Sequence, residues 1–156
     1  MRGFTLIELI ACLLIIAVVA ALAGPRFVGT QPFDERGYAD ELAAALRYAE
    51  GVAVATGCNV SFTVTAAGSA AGYAALQQQP VGPGNSCAAA GPYTQPVLRA
   101  DGTPLTGAPP ADANVAAGGT LIFGTAGQVV SAPVPSFSVG PFTLTVDPSS
   151  GFVTDP

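Results

Sequence analysis

A run of twenty residues, Phe4 to Ala23, carries a single charged side chain, Glu8. Folded as a helix it reaches about 30 Å, the thickness of a bilayer's hydrocarbon core. Gly24-Pro25 ends the run; Arg2 is the only basic residue before it and Arg26 the first after it. The last 100 residues differ in kind, being rich in Gly, Pro, Ala, Ser and Thr. Half of the 156 residues are hydrophobic, so that average describes one anchor joined to a water-facing domain, not a multispan membrane protein.

A carboxylate inside an apolar helix costs about 2.5–3.5 kcal/mol at the bilayer centre and less near the end. Glu8 lies only about 6 Å along the helix from Phe4. An ionisable group so placed is a functional candidate by default. A competing reading takes Ala21-Leu22-Ala23 as a secretory cleavage pattern. That would release a soluble domain beginning at Gly24. Twenty residues is long for a signal-peptide core, and a conventional signal has no use for Glu8.

From Tyr38 the pattern changes. Tyr38, Leu42, Ala45, Leu46, Ala49 and Ala53 recur at three- and four-residue steps, with Asp40, Glu41, Arg47 and Glu50 on other faces. The spacing predicts an amphipathic helix over Asp34–Thr56, closed by Gly57, with Pro32 opening or kinking it. Past Gly57 the period becomes two. Asn59 to Thr65 alternates as a half-buried strand does. Tyr73–Leu76, Val97–Leu98, Thr120–Phe123, Gln128–Ser131, Phe137–Val139, Phe142–Val146 and Phe152–Thr154 are further predicted strands. Pro80–Pro96 and Pro104–Ala117 are predicted loops, and Asp147 to Gly151 a turn. The expectation is an α+β fold: a long N-terminal helix, transmembrane then amphipathic, packed on a small antiparallel β-sheet domain. Its divisions are a leader at 1–3, a transmembrane segment at 4–24, an amphipathic segment at 25–57 and a β-rich domain at 58–156.

Composition removes several functions. Five Arg face ten Asp or Glu, and Lys, His and Trp are absent. Nucleic-acid binding draws on released counterions, and Arg99 is the only basic residue among the last 100. A catalytic triad lacks its imidazole and a P-loop its lysine. Asp101, Asp112, Asp147 and Asp155 sit in turn-like sequence, where Asp serves the backbone. Calcium usually takes six or more oxygens, and the Asp147 turn offers one carboxylate. No enzyme activity, metal or cofactor is expected. Cys12 lies in the apolar run as a small hydrophobe. Cys58 and Cys87 can close a disulfide if their domain lies outside the cytoplasm, and otherwise stay two thiols.

Residues 3 to 9 read Gly-Phe-Thr-Leu-Ile-Glu-Leu, straight after Met1-Arg2. A short basic leader ending in Gly, an aromatic next residue and a Glu five beyond the Gly resemble the signal of type IV prepilins and type II secretion pseudopilins. Gly24-Pro25-Arg26-Phe27, Leu42 to Ala49, Val54 to Cys58, Leu121-Ile122-Phe123, Gly127 and Gly151-Phe152-Val153 are similar to the GspH/FimT group of minor pseudopilins, nearest to the minor pilins of MSHA-type pili. The resemblance implies a structural subunit of such a pilus or of a secretion pseudopilus. A prepilin peptidase would cut between Gly3 and Phe4 and methylate the Phe4 amine, and Glu8 would pair with that amine on a neighbouring subunit. Implied partners are the peptidase, other major and minor pilins or pseudopilins, an inner-membrane assembly platform and membrane lipid; no nucleic acid is expected. The implied location is the inner membrane with the C-terminal domain in the periplasm, and near the tip of an assembled filament. The alternative is a membrane-anchored or secreted periplasmic binding domain that never assembles.

Overall fold

Two helices of opposite character lie within the first 56 residues. The computed structural model describes residues 5–23, 31–66, 71–79, 87 and 92–154. They fall into two units, Met1–Thr30 and Gln31–Pro156. The first contains helix α1, Leu6–Ala23. The Thr5 carbonyl accepts its first bonds, from the Glu8 and Leu9 amides at 3.1 and 3.2 Å. Glu8 sits in the first turn, where the helix dipole favours an acid. Side chains 5–20 are all exposed within this chain. Among the described residues no helix is long and apolar enough to cross a membrane; the apolar run of the sequence begins at Phe4, outside them.

The second unit opens with helix α2, Gln31–Thr56, three residues earlier than the periodicity predicts. Pro32 is its second residue, where a missing N–H leaves no bond unmade. Gly57 ends it at φ +66°, its amide bonded to the Ala53 carbonyl at 3.0 Å, the left-handed helix cap. Whether the two helices join through Pro25 lies outside the described residues.

Two antiparallel sheets follow. The larger contains β1 (Val60–Thr65), β2 (Gly72–Gln78), β3 (Tyr93–Pro96), β4 (Thr106–Gly107) and β6 (Gly119–Phe123), ordered β3-β2-β1-β6 with β4 also on β2. The smaller is β5 (Val115–Ala117), β7 (Phe137–Val139) and β8 (Phe142–Leu144), ordered β5-β7-β8. The expected α+β arrangement is present, with the antiparallel β domain divided into two sheets. Tyr93–Pro96 is an edge strand, not loop: Gln95 pairs with Gln77 and Pro96 with Leu76. Val97 and Leu98 fall just past it, though Val97 still donates to the Ala75 carbonyl at 3.1 Å. The loop predicted over Pro104–Ala117 contains β4 and β5. Gln128–Ser131 is no strand; only Val129 bridges, to Phe123. Val146 and Val153 likewise meet in a single bridge beyond β8.

The core lies between α2 and both sheets. Val60, Phe62 and Val64 of β1 alternate inward, and Phe62 stacks on Tyr73 of β2 with ring centres 5.4 Å apart. Leu121, Phe123, Phe137, Val139 and Leu144 add the other large side chains. From the helix come Tyr38, Leu42 and Leu46, set among Ala39, Ala43, Ala45, Ala49 and Ala53. Small helical residues let the sheets approach, so the strands supply most of the core volume.

Two substitutions in α2 should move stability in opposite directions. Leu46 is fully buried, and Leu46→Ala should cost about 2–5 kcal/mol. Gly51 is exposed with nothing near an added Cβ, so Gly51→Ala should stabilise by about 0.5–1 kcal/mol. Urea unfolding of the two variants in detergent checks both signs.

Candidate functional site

The residues of the prepilin-like motif divide at the edge of what the structure describes. Gly3 and Phe4 lie outside the described residues. Glu8 lies inside, on the first turn of α1, among exposed Leu6, Ile7 and Leu9. A helix exposing apolar groups all round, with one acid near its start, can pack lengthwise against like helices and offer a carboxylate to one cation.

Cys58 and Cys87 are joined in a disulfide, their Cα atoms 5.2 Å apart. Cys58 is buried where α2 hands over to β1. The bond therefore closes a chain of 29 residues that includes β1 and β2. Cys12, on α1, is a free and exposed thiol.

Two glutamates of α2, Glu35 and Glu41, bond to the β region beneath the helix and a third, Glu50, lies against it, a device the sequence reading passed over. Glu35, only 6% exposed, accepts from Gln31 Nε2 at 3.2 Å and from the Asn114 amide at 3.4 Å. Its carboxylate fills the place a Cβ would need at Gly140. Glu41 Oε1 accepts the Tyr73 hydroxyl at 2.6 Å and lies 2.7 Å from where a Gly107 Cβ would stand. Glu50 Oε1 would meet a Gly127 Cβ at 2.9 Å. Gly127 and Gly140 have φ of +87° and +53°, so backbone conformation as well as space demands glycine there. Arg99 completes the Glu41 cluster: it donates to the Tyr73 hydroxyl at 3.2 Å and to the Pro104 and Thr106 carbonyls at 2.9 and 2.7 Å. Burial, then the bond to Glu41, pushes the Tyr73 hydroxyl up to about 12, against the opposing pull of Arg99. A lone Arg followed by a Pro-containing turn was the one sequence signal for this cluster.

The aspartates of the β domain serve turns. Asp101 Oδ1 accepts from the Thr103 amide and hydroxyl at 2.9 and 2.7 Å, which hold its carboxyl below the usual range. Asp147 Oδ1 takes four bonds, from the amide and hydroxyl of both Ser149 and Ser150, all between 2.6 and 3.0 Å. The Ser149 hydroxyl is the largest cause that pushes its carboxyl down to about 2. Asp112 is exposed, and Asp155 lies outside the described residues. Among the described residues no three His, Cys, Asp or Glu gather as metal ligands.

Residues 1–24 match the profile of the prokaryotic N-terminal methylation motif. Residues 38–154 match that of the type II transport protein GspH. No curated protein and no solved structure matches the chain.

Two outcomes test the roles assigned to the β domain. Removing the cross-link by Cys58→Ala with Cys87→Ala should cost about 3–4 kcal/mol, the loop-closure value for a chain of about 30 residues, read as a shifted urea midpoint. Asp147 has a folded pKa below the ordinary aspartate value of 3.8, so its contribution is complete above that value and disappears as pH falls toward about 2. Asp147→Asn should accordingly flatten the melting temperature against pH between those limits, with the largest difference from the parent protein at neutral pH.

Proposed function

The chain belongs to the GspH family of type II transport proteins, structural subunits of pilin type, and on that premise we propose how it enters a filament. At the coarser level it is a minor pseudopilin or pilin of a type II secretion system or type IV pilus, anchored in the inner membrane. Its motif marks it for a prepilin peptidase and for assembly with other pilins or pseudopilins. One observation supports the finer reading above others: the methylation motif and the GspH domain follow one another in a single chain, covering residues 1–24 and 38–154.

The finer reading runs as follows. Residues 4–24 span the inner membrane, residues 25–57 continue as the amphipathic segment and residues 58–156 form a periplasmic domain. The Cys58–Cys87 disulfide supports an oxidising location for that domain. The peptidase cleaves after Gly3 and methylates the new Phe4 amine. The Glu8 carboxylate then receives the Phe4 amine of an adjacent subunit. In a low-dielectric setting two such charges attract strongly, and either one unpaired is costly, so the pair sets register between subunits. The assembly platform of the inner membrane and its lipid are the remaining partners. A position near the tip, in an MSHA-type pilus or a secretion pseudopilus, follows from the minor-subunit character, and Glu8 lets one more subunit sit above it. The protein works by assembly and not by chemistry on a substrate.

Intact mass and N-terminal sequencing of the protein from cells with an active peptidase should give N-methyl-Phe4 as the first residue. Persistence of the full chain, or a start at Gly24, would overturn the reading. Glu8→Ala should still be processed and should be depleted from sheared filaments at least about tenfold, the effect of losing a charge-assisted hydrogen bond. Normal incorporation would remove the pairing role of Glu8.

A further inference from the structure

The two cysteines of the disulfide differ in what can reach them. Cys58 is 1% exposed, at the junction of α2 and β1, while Cys87 stands partly exposed. The end of β2 is tied across that junction. Gln77 Nε2 donates to Thr56 Oγ1 at 2.6 Å. Gln78, only 2% exposed, donates its amide to the Asn59 carbonyl at 3.0 Å and accepts the Asn59 amide on Oε1 at 3.3 Å. These bonds continue the β1–β2 ladder past Val60–Gln77 and do not involve the cysteines. Cys87 Sγ lies 3.7 Å from the Gln78 carbonyl oxygen, so the strand end bonded to Asn59 also seats Cys87.

Thiol–disulfide exchange begins when a thiolate attacks one sulfur of the bond, and access decides which. A buried sulfur is reached only after the structure around it opens. We propose that Cys87 is a thiol–disulfide exchange site, open to an external thiolate or an external disulfide, and that Cys58 is its resolving partner. In the reductive direction the external sulfur bonds to Cys87 Sγ and the Sγ–Sγ bond breaks. Its electron pair leaves with Cys58, which takes up a proton. In the oxidative direction the Cys87 thiolate attacks the external disulfide and expels one of its thiolates. Cys58, deprotonated, then attacks Cys87 Sγ and expels the other, so two electrons pass from the cysteine pair to the donor. Each direction passes through the same mixed disulfide on Cys87. The Gln77–Thr56 and Gln78–Asn59 bonds hold Cys58 near Cys87 while the bond is open, so its effective concentration is high and the mixed disulfide is short-lived. The assignment stands apart from the filament reading.

Acid quenching tests the assignment, because protonated thiols do not exchange. The full chain bearing Cys12→Ser, oxidised and in detergent micelles, is treated with glutathione, quenched and digested with pepsin at acid pH. Phe62, Tyr73 and Leu76 lie between the two cysteines, so cleavage there separates their peptides. Mass spectrometry should find glutathione on the Cys87 peptide at least about tenfold more than on the Cys58 peptide, the excess set by the opening needed to reach Cys58. The preference should vanish in concentrated urea. In the oxidative direction, with oxidised glutathione, Cys58→Ala should accumulate the adduct on Cys87. Cys87→Ala should form its adduct at least about tenfold more slowly. No adduct on the folded chain, equal labelling, an excess on Cys58, or a preference that survives unfolding would each overturn the assignment. A dithiol oxidoreductase stripped of its resolving cysteine distinguishes the two sources of thiolate. Its capture through Cys87 assigns the site to a protein partner, and a glutathione adduct alone assigns it to small thiols.

Discussion

The alanine-lined inner face of α2 is the surface on which both sheets depend. β5, β7 and β8 are three residues each, too short and too few to persist alone in water. Their Phe137, Val139 and Leu144 are nonetheless fully buried, because α2 packs on β7 and β8 as well as on the larger sheet. Alanine suits that task twice. It is the strongest helix former and loses no side-chain entropy, and it leaves room for aromatic rings from the strands. A helix face built of leucines would hold the sheets farther off and leave Phe62, Phe123 and Phe137 without a common interior.

Polar anchors then fix where along the helix each layer sits. Glu35, Glu41 and Glu50 are spread along α2, and each abuts a glycine of a different part of the β region. Hydrophobic burial has no direction, and the alanines of this face resist sliding of a sheet less than Tyr38, Leu42 and Leu46 do. A carboxylate seated where no Cβ fits does not tolerate it. The buried face supplies most of the free energy, and the bonds of Glu35 to the Asn114 amide and of Glu41 to the Tyr73 hydroxyl add directional contacts.

The parts of the fold legible in the sequence are those with long periodic patterns. Tyr38, Leu42, Leu46, Ala49 and Ala53 announce α2, Gly57 its end, and Val60-Ser61-Phe62-Thr63-Val64 the central strand. The edges were illegible for a physical reason. β3 is Tyr93-Thr94-Gln95-Pro96, mostly exposed and ending in proline, a composition shared with loops because an edge strand needs bonds on one side only. β4 and β5 are strands only because β2 and β7 lie beside them. In the opposite direction, Gln128-Val129-Val130-Ser131 has strand composition but only Val129 bridges. Of the candidate site, the motif around Glu8 and the two cysteines were readable as residue types. The Glu41–Tyr73–Arg99 cluster was not, since its members are separated by 32 and 26 positions and each alone reads as ordinary surface.

The arrangement of the three glutamate–glycine contacts has a mechanical consequence. They lie along one helix axis and meet Gly107 of β4, Gly140 in the turn between β7 and β8, and Gly127 beyond β6. A force applied along α2 therefore strains all three together, in shear, rather than prying them apart one after another. Contacts arranged in this way divide the tension among themselves, whereas contacts opened in sequence each meet it whole. A subunit whose helix is drawn lengthwise while its outer domain is held back resists most strongly in the direction in which the contacts are distributed.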